Sequence, residues 1–501
     1  MVLFLLGGAW SLSTPLMSSP DEPSHTIKAA SVVRGQFLGP KSPASIGATD
    51  VEVPALVSAT SAFPQCYMFQ PNFTAACALD LPEEPNETVD SVTTAGRYNP
   101  TYYAVVGLPS LMPASSGVLY MMRLFSAAFS AALLAIGVKH LAELRTRSWV
   151  TVGLAGALTP MTLFLSGTIN PAGFEIAAAV GLWLTMLALF RDPRPELMRS
   201  RAIGTAVTGS FLVNARGLSP LYLLIIVAAV LAASRWRDIR TVFTSRVVWP
   251  WIGLLGLTSG FAAWWIISAN SLATGTMQFP EYGFTMIAKD TLASTGVYVN
   301  NMIGQFGWMD TNLPSWLLQV FAAVILFTVA VALAVARSRE RLVLAALAAA
   351  VVLVPVIIHA AQAKYIGWVW QGRYILPVAV GVPILAGYLA QRRAGLLPAW
   401  FLRRVVATLV IAAGLVQLLA LVINLHRYVN GVGGPWLSLV DYAWIPPFPL
   451  ALLLLLMVGA TVLYTALMYA VGRPDRAADD ESAAESAAES QPSPAAADPV
   501  R

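Results

Sequence analysis

Residues 315–361 read SWLLQVFAAVILFTVAVALAVARSRERLVLAALAAAVVLVPVIIHAA, and this stretch decides the fold class. Two almost wholly apolar runs, 315–336 and 342–359, flank Arg337, Arg339 and Arg341, and neither alternates polar with apolar residues. A hydrocarbon core of roughly 30 Å takes about 20 such residues wound as a helix. Continuous rather than alternating runs exclude a transmembrane β-barrel. The segment therefore reads as two membrane helices joined by a short basic turn.

Outward from this pair the pattern recurs at roughly 2–17, 117–138, 149–167, 172–190, 202–214, 218–233, 248–268, 375–390, 405–424 and 448–471. The expected fold is an all-α integral membrane protein of about twelve transmembrane helices. Composition agrees: the 501 residues are 57% hydrophobic and 11% charged, with a mean hydropathy of +0.67, outside what the surface of a water-soluble domain tolerates. The first run is short and has no basic residues ahead of it. It reads as a signal peptide or a helix, and the lack of a small-residue cleavage site favours the helix.

Arginine and lysine then orient the spans, because short cytoplasmic loops carry their excess. Lys139, Arg145 and Arg147, the groups at 191–201, 235–246, 337–341 and 392–404, and Arg473, Arg476 and Arg501 fall on alternate connections and hold 21 of the 31 basic residues. A multi-pass protein of the cell membrane with both termini cytoplasmic follows. The formal charge of +5 is a topology signal. No aromatic residues are arranged with the cations around a groove, so nucleic acid is not an expected partner; the lipid bilayer is.

Three segments depart from the apolar pattern. A membrane domain over 1–472 contains a large external loop at 18–116 and a second at 269–314, and 473–501 is an acidic, Ala- and Ser-rich cytoplasmic tail whose composition predicts disorder. Residues 23–39 have the pattern of a short interfacial helix, and 284–303 that of an interfacial or re-entrant one. Cys66 and Cys77, the only cysteines, share the first external loop, where an oxidising compartment permits a disulfide. Two free thiols are the alternative, and metal ligation lacks the accompanying histidines. Sequons stand at Asn72 and Asn86.

Candidate chemistry gathers at the external ends, where ionisable groups next to the bilayer are costly. Directly after the first span come Asp21, Glu22 and His25, a grouping able to supply a general base or to ligate a divalent cation, Mg or Mn. The plainer reading is a Pro-bounded turn whose Asp caps the next helix, although Ser24 is available for that role. Arg216, Lys364, Arg373 and Arg427 lie on the cation-poor side, which points to an anionic ligand such as phosphate; snorkelling to lipid headgroups is the competing role. Tyr98, Asn99, Tyr103, Asn170, Glu175, Asp310, Gln371 and Tyr374 are candidate substrate-lining residues. Trp308, Trp368 and Trp370, with Tyr282 and Tyr365, fit an interfacial belt better than sugar stacking. Walker-type and dinucleotide motifs are missing, which argues against ATP-driven transport by this chain alone.

Five separated motifs carry a resemblance: PDEPSH (20–25), YNPTYY (98–103), NPAGFE (170–175), FGWMDTNLP (306–314) and QGRYILP (371–377). In order and spacing they resemble domain of unknown function family 2142, bacterial multispanning proteins common in actinobacteria, over most of residues 10–440. The architecture in turn resembles the class C glycosyltransferases, which take sugar from a polyprenyl-phosphate donor and use an acid in the first external loop as base or metal ligand. That resemblance implies Asp21 as the catalytic acid/base, Glu22 as its neighbour or a metal ligand, and Arg373 as a clamp on the donor phosphate. The chain departs from the class in having no large domain after the last span and no Asp-x-Asp pair. The implied function is glycosyl transfer in cell-envelope glycan assembly on the external face, with a glycan acceptor as partner. A transporter or flippase of lipid-linked sugars is the rival, against which the apolar span midpoints speak, and a non-catalytic envelope scaffold is the third reading.

Overall fold

The computed structural model describes residues 1–43, 47–272, 276–436 and 442–473. The expectation of a disordered tail at 474–501 lies outside them. Among the described residues, eight helices are long and apolar enough to cross a membrane, or up to ten if each of two bent pairs is one span. The first bent pair, Ser148–Ala157 and Pro160–Ser166, turns by 64°. Pro160 lacks an amide hydrogen and disfavours helix at the residue before it, while Thr159 Oγ1 accepts from Thr162 N at 3.1 Å and restarts the helix. The second pair, Ser219–Ala233 and Trp236–Thr244, turns by 117°. The expected count of twelve is not reached, because Val2–Leu12 has 11 residues and Met198–Val213 has 16.

The helix Pro171–Arg191 is the axis of the fold, with every residue from Pro171 to Phe190 buried. It packs on Ser116–Ala142 and Met198–Val213. A Cβ at Gly181 would stand 2.8 Å from the Leu133 carbonyl oxygen, so the missing side chain is what lets the first of these contacts close.

Among the described residues, the long loop expected at 18–116 is folded rather than extended. An antiparallel ribbon of Thr49–Pro54 and Thr88–Thr93 lies across the helix Glu22–Val32, and Cys66 is disulfide-bonded to Cys77. The helix does not lie on a surface as its pattern suggested: ten of its eleven residues are buried. Its Lys28 donates to the carbonyls of Phe37 and Gly96, both at 2.6 Å. The reason is the loop itself, whose ribbon and the helix Pro100–Val106 cover both faces. In the second long loop, 269–314, the helices Phe284–Ala293 and Thr295–Gly304 precede a tight hairpin pairing Gln305–Phe306 with Thr311–Asn312. Thr295–Gly304 packs on the segment Gly372–Ile375.

Candidate functional site

The site is built on the turn that follows Val2–Leu12. Asp21 takes φ 66°, the left-handed region, which costs a non-glycine residue free energy and persists only where its surroundings enforce it. Its neighbours supply that enforcement. Asn170 Nδ2 donates to the Pro20 carbonyl at 3.0 Å while Asn170 Oδ1 accepts from Ala172 N at 2.9 Å, capping the central helix. On the other side Glu22 is fully buried and bidentate to Arg123, with Nε to Oε1 and Nη2 to Oε2 both 2.7 Å. Arg123 also donates to the carbonyls of Ser11, Thr14 and Pro15.

Asp21 is thereby left as the open carboxylate, with its side chain 51% exposed, and its Oδ2 is 2.7 Å from Arg373 Nη2. Burial alone would raise its pKa. The Arg373 charge and hydrogen bond, with help from His25 and Arg216, outweigh that and hold the carboxyl below its ordinary range. His25 Nδ1 lies 2.9 Å from the Tyr103 hydroxyl. Burial, opposed by Asp21 but reinforced by Arg216 and Arg373, pushes the imidazole down to about 3, so it is neutral at physiological pH.

Next to this cluster lies a cavity of about 250 Å³ whose lining includes Tyr98, Glu175, Arg216, Tyr222, Trp370 and Tyr374. Two aromatic residues join it to the Asp21 turn. The Tyr98 ring is 5.7 Å from that of His25, and the Tyr374 ring lies beneath both Arg216 at 4.9 Å and Arg373 at 5.2 Å. Glu175 accepts from Ser219 Oγ at 2.6 Å and stands 3.5 Å from Arg216 Nη1. The Tyr222 hydroxyl donates to the Tyr374 backbone carbonyl at 2.7 Å, fixing the Tyr222 ring.

The structure brings together Asp21, His25, Tyr98, Tyr103, Glu175, Arg216, Arg373 and Tyr374 from the residues singled out by sequence. Others have different employment. Asn99 caps the helix Pro100–Val106 through Thr101 N and donates to Asn214 Oδ1 at 2.9 Å. Arg427 and Asp310 pair with each other at 3.0 Å, and Arg427 also donates to the carbonyls of Tyr67, Gln70 and Phe73. This arginine, expected at the phosphate, is committed to holding the loop that contains Tyr67, Gln70 and Phe73. Lys364 lies over the Tyr365 ring, 5.0 Å from its centre, and is not among the residues lining the cavity. Gln371 lines a much smaller space together with Arg373 and Pro20. Tyr222, Ser219 and the cavity role of Trp370 escaped the sequence reading; no local motif marks them.

A divalent cation held by Asp21 and Glu22 does not fit these residues. The Glu22 carboxylate already accepts from four donors, the two Arg123 nitrogens and the amides of Ser19 and Ile169. Among the described residues no group of three or more His, Cys, Asp or Glu side chains could hold a metal ion.

Residues 4–382 match the family described as predicted membrane protein (DUF2142). The chain belongs to this family. The match takes in the Asp21 turn, the central helix, Arg216 and Arg373, so the whole cluster lies within the DUF2142 region. Among solved structures, the chain is similar to ArnT from Cupriavidus metallidurans bound to undecaprenyl phosphate. Identity is 13%, the alignment covers 94% of this chain and 74% of ArnT, and the TM-score is 0.42. No curated protein is matched by the sequence.

Proposed function

We propose that this DUF2142 protein is a membrane glycosyltransferase that takes a sugar from a polyprenyl-phosphate donor and places it on a cell-envelope glycan. The observation that carries the reading is the Asp21 carboxylate, open on one side and bonded to Arg373, with Arg216 beside it at an aromatic-lined cavity. An acid adjoining two arginines has the parts such a transfer requires. The acceptor hydroxyl oxygen attacks the anomeric carbon, the bond from that carbon to the phosphate oxygen breaks, and its electron pair leaves with the polyprenyl phosphate. Asp21 takes the hydroxyl proton. Arg373 and Arg216 stabilise the leaving phosphate, for which the guanidinium fork is suited.

Arg373 also couples donor to base. Unliganded, it holds the Asp21 carboxyl down, which keeps it ionised but weakly basic. A donor phosphate sharing the guanidinium draws part of that charge away, and the carboxylate gains basicity when the donor is in place. His25, neutral and tied to Tyr103, orients the turn.

In this reading the short helices Val2–Leu12 and Met198–Val213 also cross the bilayer, giving twelve crossings. Both termini then lie in the cytoplasm, and Asp21 faces the exterior of the plasma membrane. The test is transfer by the purified chain in liposomes, using radiolabelled polyprenyl-phosphate sugars and envelope-glycan acceptors, with Asp21→Ala as control. Transfer by wild type alone is expected. No transfer by folded wild type from any donor would overturn the proposal in favour of a transporter, flippase or scaffold.

A further inference from the structure

Two residues that line the cavity beside the Asp21 turn each have a buried polar atom that the fold leaves unused. Glu175 is fully buried; its Oε1 is bonded to Ser219, while its Oε2 has no hydrogen-bond partner among the described residues and only the looser 3.5 Å approach of Arg216. Trp370 is 6% exposed, and its indole Nε1, a donor only, likewise has no partner. Both residues line the same 250 Å³ space. Buried polar atoms are nearly always paired, so an acceptor and a donor left free around one cavity describe the ligand that completes them.

That ligand has hydroxyl groups and an apolar face. Tyr98, Tyr222, Tyr374 and Trp370 supply aromatic walls, and the Tyr222 ring is fixed by its hydroxyl's hydrogen bond to the Tyr374 backbone carbonyl. Lipid hydrocarbon would cover the walls but leave Glu175 and Trp370 unsatisfied. A phosphate or carboxylate seated inside the cavity against Glu175 Oε2 would be repelled by the Glu175 carboxylate, whereas a donor phosphate held by Arg373 and Arg216 at the edge of the cavity stays clear of it. A hydroxyl, which both donates and accepts, serves Glu175 Oε2 and Trp370 Nε1 at once. The volume lies just under the roughly 300–1,000 Å³ of typical ligand pockets, which suits one ring rather than an oligosaccharide.

We infer that this cavity binds a single neutral sugar ring, with Glu175 accepting from one of its hydroxyls and the Trp370 indole donating to another. The inference rests on the transfer reading for its position beside Asp21. The ring has two possible sources, the sugar of a lipid-linked donor and the terminal residue of an acceptor glycan.

The test uses the full chain in nanodiscs and the methyl glycosides of glucose, galactose, mannose and arabinose, with binding followed by saturation-transfer NMR. Saturable binding of at least one is expected. Glu175→Gln, and Trp370→Phe, which keeps an aromatic ring and removes the N–H, should each weaken it about tenfold, the usual effect of losing one hydrogen bond. Displacement by a farnesyl-phosphate sugar but not by a disaccharide assigns the ring to the donor, and the reverse assigns it to the acceptor. If no glycoside binds folded wild type, as for a cavity holding only water, or if both variants bind unchanged, the inference is overturned. Should Glu175→Gln fail to fold, Trp370→Phe decides alone. Asp21→Asn separates the two proposals: it should bind the glycoside like wild type while losing transfer. Binding without transfer in wild type would remove the transferase and leave the sugar cavity standing.

Discussion

Arg123 and Glu22 meet in a bidentate ion pair with no solvent exposure on either side chain, across 101 residues of sequence. The pair ties the turn after the first helix to the helix Ser116–Ala142, and the Asp21 backbone is set by it. Removing one member of a buried pair leaves an uncompensated charge and costs about 3–5 kcal/mol. Arg123→Met also strands the carbonyls of Ser11, Thr14 and Pro15, so it should lower the thermal midpoint more than Glu22→Gln. Equal, near-wild-type midpoints for both would show that the pair is no staple.

Asp21→Asn keeps the shape of the side chain and removes the base. Transfer should fall by about 10²- to 10⁴-fold, the usual contribution of a general base, with little change in donor KM. Arg373→Ala should raise donor KM first, because it takes away a phosphate contact as well as the partner of Asp21. Steady-state kinetics with a single polyprenyl-phosphate sugar distinguishes the two patterns.

Asn170 uses its two ends differently, Oδ1 as a helix cap and Nδ2 to hold the Pro20 carbonyl. Asn170→Ser keeps a capping oxygen and loses the Pro20 bond without burying a charge. It should therefore keep most of the helix stability yet lower kcat, whereas Asn170→Ala should also lose about 1 kcal/mol of helix stability. Identical kcat in wild type and Asn170→Ser would remove Asn170 from the positioning role.

His25 makes acid destabilising. Its ordinary value of 6.5 is pushed down to about 3 by burial in the fold, so between these limits the unfolded chain binds a proton that the folded chain does not. Stability then falls as pH drops from 6.5 toward 3. Denaturant midpoints measured across that window should decline less steeply in His25→Gln than in wild type. Parallel curves would show that another group carries the acid sensitivity.

The membrane-helical architecture was legible without any coordinates. A span's solvent is lipid, so the apolarity of its own residues decides that it is buried, and a run such as 315–336 needs no knowledge of its neighbours. The Asp21 turn was visible for a similar reason: adjacent acids between two prolines are costly at a bilayer surface. Legibility ended where a long helix is not required. Val2–Leu12 and Met198–Val213 carry the pattern but fall short in length, and the helix Glu22–Val32 shows an interfacial pattern yet lies buried because a distant ribbon covers it.

Partner choice was decided by tertiary structure alone. By position in the chain, Arg216, Lys364, Arg373 and Arg427 are four cations expected on the external side, with nothing to rank them. Packing gives Arg123 to Glu22 and Arg427 to Asp310, and leaves Arg373 with the half-open Asp21 and Arg216 at the edge of a cavity. Trp370 was assigned to an interfacial belt on composition, and the fold turns it inward beside Glu175. The sequence by itself determined which residues lie in lipid and where polar groups may gather, because transfer from water to hydrocarbon is a property of each segment. Only the tertiary structure decided which charges neutralise one another and which stay free, because an ion pair depends on distances of a few ångströms that separate helices fix by packing.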